Sequence, residues 1–374
     1  MPGPECLFDG VGLQLLHFAG NGAAQFRLIS FDIMHARANR RDAFASRFCM
    51  KNGVELFGIV PKSPNWYPLA EMSVICDIIA QHHGPPALAY GSSMGGYGAL
   101  RYGAQAGAVA VLAFSPQAHV APDVTGRSDP RYARFHDPLA HAAMTILPEH
   151  LCAQNFVIHD PRSDYDAFQV GLLPQAQISS FAVPHVGHRS VTTIASSELA
   201  LAAFELTLSG DAAKFHRLLA RGKKTAASYL AGLAQAAFAH RHDTWAQAIG
   251  ARGMALYPAD KDAKLVTAQS LGRLGQPQQA AAILAPMIAG YPHVLKYHLA
   301  LVQVWATAKH YDAATVALRQ ALAVQDRFDL RVRLIRLLRL ARNWAAARAE
   351  LQQTAQKWPE RQAELDKLAV KNPA

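Results

Sequence analysis

Over roughly the first two hundred residues, short apolar runs alternate with stretches of helical periodicity, and then the alternation stops. Residues 13–18 ("LQLLHF"), 54–60 ("VELFGIV"), 87–90, 108–114 ("AVAVLAF"), 156–159 and 177–183 are apolar runs of strand length. Between them, 43–51, 69–82, 94–105, 165–173 and 190–208 carry apolar residues at helical spacing. Strands alternating with helices predict βαβ units and a parallel sheet covered on both faces. The stretch 115–154 interrupts the rhythm with Pro116, Pro122, Pro130, Pro138 and Pro148, and with Arg127, Arg131 and Arg134 among them. An insertion of that length inside a domain predicts a functional lid or cap.

After Gly210 the strand pattern disappears and alanine-rich helical periodicity takes over. Ala246, Ala280, Ala314 and Ala347 recur at intervals of 34, 34 and 33 residues, each near the start of a predicted helix. Tyr257-Pro258, Tyr291-Pro292 and Trp358-Pro359 mark helix ends, 34 and then 67 residues apart. A helix–turn–helix unit of this period, with a small residue where the helices cross, resembles the tetratricopeptide repeat. About four copies fit between residues 227 and 362, with 211–222 as a capping helix. The expected domains are therefore 1–209, α/β with a cap insertion at about 115–154, and 210–374, all-α and built of repeats.

Composition narrows the class. A 374-residue chain that is 51% apolar and 17% charged can bury two cores. Its net charge of +10 is spread without a run of like charges, so the expectation is an ordinary basic surface and no nucleic-acid partner. Cys6, Cys49, Cys76 and Cys152 form no CxxC pair, which suits a reducing compartment and predicts neither a disulfide framework nor a metal site. The opening "MPGPECLFDG" has no leader pattern, and Glu198 and Glu205 break the most apolar stretch. The expected location is the cytoplasm, with no membrane span.

The chemistry concentrates in "LAYGSSMGGYGALRYG". Gly91 and Gly95 flank Ser93 in a G-x-S-x-G frame, whereas Ser92 has Tyr90 and Met94 at the same offsets. A strained strand-to-helix turn that lifts a nucleophile clear of a sheet requires small residues at those two places. Ser93 is thus the candidate nucleophile, and the Met94 N–H at the helix start a candidate oxyanion donor.

A serine nucleophile needs a base and an acid that orients the base. "VPHVGHRSV" offers His185 and His188, and the Val-Gly-His turn before a helix favours His188. "HDPRSDYDAF" offers Asp160, Asp164 and Asp166. Asp164 is preferred; Asp160 is the alternative holder of the Pro161 turn, and Asp166 reads as a helix-start charge. The glycine turn "AGNGAA" suggests Gly20 or Asn21 as second oxyanion donor. Trp66 and Tyr67 in "PKSPNWYP" are candidates for stacking on a sugar, or else for packing the loop down. His17, at a strand end, reads as a satisfied histidine.

With "YGSSMGGYGALRYG", "NWY", "HDPRSD" and "VGH", residues 13–209 resemble an α/β-hydrolase, similar to bacterial serine esterases and acetyltransferases acting on glycans. The resemblance implies an acyl-enzyme on Ser93 served by His188 and Asp164, acting on a small-molecule or glycan ester without metal or cofactor. Two departures stand out: the first strands of the full sheet are not seen in the pattern, and a repeat tail is foreign to that family. The tail is expected to hold a protein partner or a second copy of the chain. The rival reading is a non-catalytic scaffold of the same architecture whose repeats bind a partner.

Overall fold

The runs at 87–92 and 108–114 become neighbouring parallel strands in the middle of one large sheet. A computed structural model describes residues 3–36 and 38–368. It divides into two units, Met1–Tyr229 and Leu230–Ala374.

The first unit is built on eight strands: β1 (Glu5–Asp9), β2 (Leu13–Phe18), β3 (Arg27–Phe31), β4 (Leu56–Pro61), β5 (Ala87–Ser92), β6 (Ala108–Phe114), β7 (Gln154–His159) and β8 (Ser179–Ala182). They lie in the order β1-β2-β4-β3-β5-β6-β7-β8. β2 runs antiparallel to both neighbours, and every other pairing is parallel. The sheet therefore does not lack its first strands. β1 and β3 escape the pattern because one is a five-residue edge strand bounded by acids, and the other ("RLISF") is buried at every position and so does not alternate.

Alternate residues of the central strands feed two apolar layers. On one face Ile29, Phe57, Ala89 and Val111 meet Met72 and Ile75 of α2 (Leu69–Ala80), Leu100 of α3 (Met94–Tyr102) and Val170 of α5 (Asp164–Gly171). On the other, Leu28, Leu56, Leu88 and Leu112 meet Cys49 of α1 (Ser46–Asn52), Phe204 of α6 (Ser197–Leu208), and Phe215 and Leu219 of α7 (Ala212–Gly222). The predicted capping helix of the tail is thus part of the first core. Phe156, Phe181 and Phe215 form a triangle with ring centroids 4.8 Å apart on each side. The unit ends some twenty residues beyond the expected boundary at 209.

The insertion holds one short helix, α4 (Pro122–Thr125), and 3₁₀ turns at Pro130–Phe135 and Pro148–His150. The stretch expected as one helix over 190–208 is a 3₁₀ turn, Gly187–Ile194, followed by α6. No single helix among the described residues is long and apolar enough to cross a membrane.

The described residues of the second unit form helices and the turns between them, and their period is that of the sequence. The first helices of successive pairs are α8 (Ala227–Ala239), α10 (Lys261–Arg273), α12 (Leu295–Thr307) and α14 (Phe328–Leu340). Their partners are α9 (Asp243–Leu256), α11 (Pro277–Gly290), α13 (Tyr311–Val324) and α15 (Trp344–Lys357), with α16 (Gln362–Asp366) closing the described chain. Ala246, Ala280, Ala314 and Ala347 each occupy the fourth residue of a second helix and are completely buried. Tyr257, Tyr291 and Trp358 cap the ends of α9, α11 and α15, their N–H groups donating back to Gly253, Met287 and Thr354 carbonyls. At the end of α13 that place is taken by Gln325, which explains the 67-residue gap between the last two Pro signatures.

Candidate active site

β5 ends at Ser92, and the chain turns directly into α3 through Ser93, held at φ 60° and ψ −122°. A non-glycine residue there is strained by about 1–3 kcal/mol, so its surroundings must impose it. They do so on three sides. The Ser93 N–H donates to the Phe114 carbonyl at 2.8 Å, and its carbonyl accepts from Tyr97 and Gln117 N–H groups, both at 3.2 Å. The flanking glycines permit the turn. A Cβ on Gly91 would lie 2.1 Å from the Gly95 carbonyl oxygen, and one on Gly95 would lie 2.1 Å from that of Phe31.

His188 comes from the turn after β8. Gly187 (φ 56°) bends the chain, and its N–H donates to Asp160 Oδ2 at 2.7 Å, while Asp160 Oδ1 accepts from Arg162 N–H at 2.9 Å. One buried carboxylate at the end of β7 therefore ties the histidine loop to the preceding strand. The His188 Nε2 lies 2.8 Å from Ser93 Oγ, and its Nδ1 lies 2.9 Å from Asp166 Oδ1.

The acid in reach of His188 is Asp166, not Asp164. The two side chains leave α5 about 200° apart. Asp166 is 1% exposed and shares its face with buried Gln169 and Val170, whereas Asp164 is exposed. Burial pushes the Asp166 carboxyl up, but the hydrogen bond from His188 and the charges of His188 and Arg131 outweigh it and hold it below its ordinary value. With Asp166 ionised, His188 Nδ1–H donates to it, and Nε2 is left to accept from the Ser93 hydroxyl. Ser93 is 8% exposed and the His188 side chain about a third exposed. His185, at φ 71°, lies instead 6.4 Å from the Tyr229 ring.

Met94 opens α3, and its amide is one of the first-turn N–H groups that a helix leaves without an internal acceptor. Gly20 and Asn21 cannot complement it. Because β2 is antiparallel to β4, its C-terminal end lies beside the start of β4, with Phe18 opposite Leu56, at the far end of the sheet from Ser93. There the Asn21 N–H donates to the Gly53 carbonyl at 3.0 Å. The loop that does abut the start of α3 follows β3: a Cβ on Gly95 would lie 3.0 Å from the Asp32 carbonyl oxygen.

Trp66 and Tyr67 are packing residues, 1% and 0% exposed. The Tyr67 hydroxyl donates to the Asp32 carbonyl, and the Trp66 ring lies among Tyr132, Phe135 and His141 of the insertion. His17 is satisfied as expected: its Nε2 lies 2.9 Å from Glu55 Oε1 and its ring stacks on Phe57. In the repeats, Tyr297 is buried, and Trp305 and Tyr311 pack against neighbouring helices rather than standing free. Of the arginines of α14, Arg331 is bound to Asp326 and Glu350, and Arg333 donates to Gln303.

No family model matches the chain. No curated protein matches it either. Among solved structures, the capsule O-acetyltransferase of Neisseria meningitidis serogroup A is similar over 48% of this chain and 86% of its own, at 16% identity and a TM-score of 0.38. MamA from Desulfovibrio magneticus RS-1 is similar over 46% of this chain and 96% of its own, at 13% identity and a TM-score of 0.34. YrrB, a TPR protein with an unusual peptide-binding site, is similar over 44% of this chain and 87% of its own, at 14% identity and a TM-score of 0.34.

Proposed function

We propose that the first unit is a serine acyl-transfer enzyme of α/β-hydrolase type, with Ser93 as nucleophile, His188 as base and Asp166 as the orienting acid. The observation that carries this reading is the unbroken chain Ser93 Oγ–His188 Nε2 and His188 Nδ1–Asp166 Oδ1, at 2.8 and 2.9 Å, on a serine in a strained strand-to-helix turn. The strand order and the placement of the three residues after β5, β7 and β8 support it.

In this mechanism Ser93 Oγ attacks the carbonyl carbon of an ester or thioester while its proton moves to His188 Nε2. Asp166 stabilises the imidazolium, and the oxyanion forms against the Met94 N–H at the start of α3. The intermediate collapses as the C–O or C–S bond breaks, the leaving group takes the proton from His188, and the acyl group remains on Ser93. Water or an acceptor hydroxyl then gives its proton to His188, attacks the acyl-enzyme and releases Ser93. A sugar hydroxyl as acceptor, the class the sequence suggested, receives no support from Trp66 and Tyr67.

The repeats are proposed to hold a protein partner. The 34-residue succession of helix pairs, which stacks each unit on its neighbours, supports that use.

Labelling with a fluorophosphonate and hydrolysis of short acyl esters, acetylated saccharides included, test the enzymatic reading. Ser93→Ala is expected to abolish labelling and lower turnover by on the order of 10⁴-fold. Asp166→Asn should fall by a comparable factor, because the amide no longer fixes the imidazole tautomer, while Asp164→Asn stays near wild type. A wild-type chain that neither labels nor turns over any acyl ester favours the scaffold reading instead.

A further inference from the structure

One residue of the insertion reaches the same hydrogen-bond chain. Arg131, in the 3₁₀ turn Pro130–Phe135, donates from Nη2 to Asp166 Oδ1 at 3.3 Å, the oxygen that also accepts from His188. Its Nε and Nη2 donate to Asp129 Oδ1 and Oδ2 at 2.7 and 2.8 Å. Asp129 is 1% exposed and is also bound by Gln169 Nε2 at 2.9 Å, from the buried face of α5. The guanidinium is fixed above two rings, 4.5 Å from the Tyr165 centroid and 5.0 Å from that of Tyr132. Asp166 Oδ2 is buried and has no hydrogen-bond partner among the described residues, so the carboxylate depends on the donors at Oδ1.

We propose that Arg131 is a positioning residue of the acyl-transfer site: it keeps the Asp166 carboxylate ionised and aimed at His188, which makes the insertion part of the catalytic apparatus. The inference rests on the Ser93–His188–Asp166 reading.

The charges around Asp166 leave this task to Arg131. From the insertion come Arg131, Tyr132 and Asp129; from the end of β7, His159, with Asp160 beside it; from the turn after β8, His188. Burial pushes the Tyr132 phenol up and His159 down, so both stay neutral near neutral pH. Arg131 is the permanent cation of the group and bonds two of its three buried carboxylates, Asp129 and Asp166. Without it, Asp166 would keep only His188 as a donor while facing the buried Asp129 carboxylate in a low-dielectric setting, which disfavours its ionised form. A protonated Asp166 no longer stabilises the imidazolium.

The acid limb of kcat/KM reports the proton that the coupled His188–Asp166 pair must lose before His188 can act as base. Loss of the Arg131 cation beside the pair favours its protonated form, so the limb moves to higher pH. Loss of the Asp129 charge leaves the Arg131 cation less compensated beside the same pair, which disfavours its protonated form, so the limb moves to lower pH. The test uses the full-length chain with Arg131→Met, Arg131→Lys and Asp129→Asn. The readouts are ester hydrolysis between about pH 4 and 9, thermal unfolding, and the far-downfield NMR signal of the His188–Asp166 hydrogen bond.

Arg131→Met is expected to lose about ten- to a hundredfold in kcat/KM at neutral pH, with the acid limb raised and the downfield proton weakened. Arg131→Lys should recover part of the limb, since it keeps the charge and loses the fork. Opposite displacements of the limb in the Arg131 and Asp129 variants support the proposal. An unmoved limb and downfield proton in Arg131→Met overturn it, whatever happens to kcat. If Arg131→Met does not fold, an unmoved or raised limb in Asp129→Asn overturns it on its own. Failure of the underlying reading is separate, since it would show as wild-type and Ser93→Ala chains that behave alike.

Discussion

Asp32, the first residue after β3, is held where its charge is unwelcome. It is buried, its N–H donates to the Ile59 carbonyl at 3.1 Å, and its Oδ1 accepts from the Ile33 N–H at 2.8 Å. Burial is the dominant influence and pushes its carboxyl from 3.8 up to about 6. The unfolded chain ionises this group first, so the fold loses stability as pH rises from about 4 to 6 and stays at the lower level above. The shift corresponds to a cost on the order of 3 kcal/mol at neutral pH. Asp32→Asn removes the charge and keeps an acceptor for Ile33, at the cost of the second acceptor that the carboxylate gives the Phe44 N–H, a cost that does not vary with pH. Relative to wild type, its urea midpoint should improve as pH rises from about 4 to 7; a difference from wild type that does not change with pH would contradict this account. At the same scale, Ser93 and His188 could be read from the sequence because glycines mark both turns. Asp166 could not be read from its neighbourhood in the chain. Three acids lie within seven residues, and helical phase selects among them, a phase that the buried partners Gln169 and Val170 reveal. Gly20 and Asn21 were misplaced because no residue in "LQLLHF" announces which way the strand runs.

At the level of elements, the repeats were the most legible part of the chain, since a 34-residue period repeats its own evidence. The alanines at the fourth position of α9, α11, α13 and α15 make the pattern specific: each is wholly buried. Ala314→Leu in α13 should therefore destabilise by about 1–3 kcal/mol through overpacking, while Val316→Ser, at a site 59% exposed in the same helix, should change little. Urea unfolding followed by helical circular dichroism separates the two, and equal effects would argue against a crossing point at Ala314. Strands were harder to read than helices. β3 is buried on both sides, so the alternation that marks a half-exposed strand is missing from it.

For the whole molecule, the division at Tyr229 sets where the chain can be cut. Phe215 and Leu219 of α7 are 0% and 2% exposed in the core of the first unit, so a chain ending at Ser209 lacks an aromatic whose loss alone costs about 3–5 kcal/mol. A chain ending at Tyr229 is expected to fold and keep activity on short esters, while one ending at Ser209 is expected to aggregate or melt far lower. Thermal melts and ester turnover on both decide it, and an equally stable, equally active shorter chain would remove α7 from the core. The same helix has a consequence for biosynthesis. The sheet's second layer stays open, with Phe156 and Phe181 uncovered, until residues 215–219 have left the ribosome. The first unit therefore completes its fold only while the repeats are already being translated, and helices that form from local contacts follow it out of the exit tunnel.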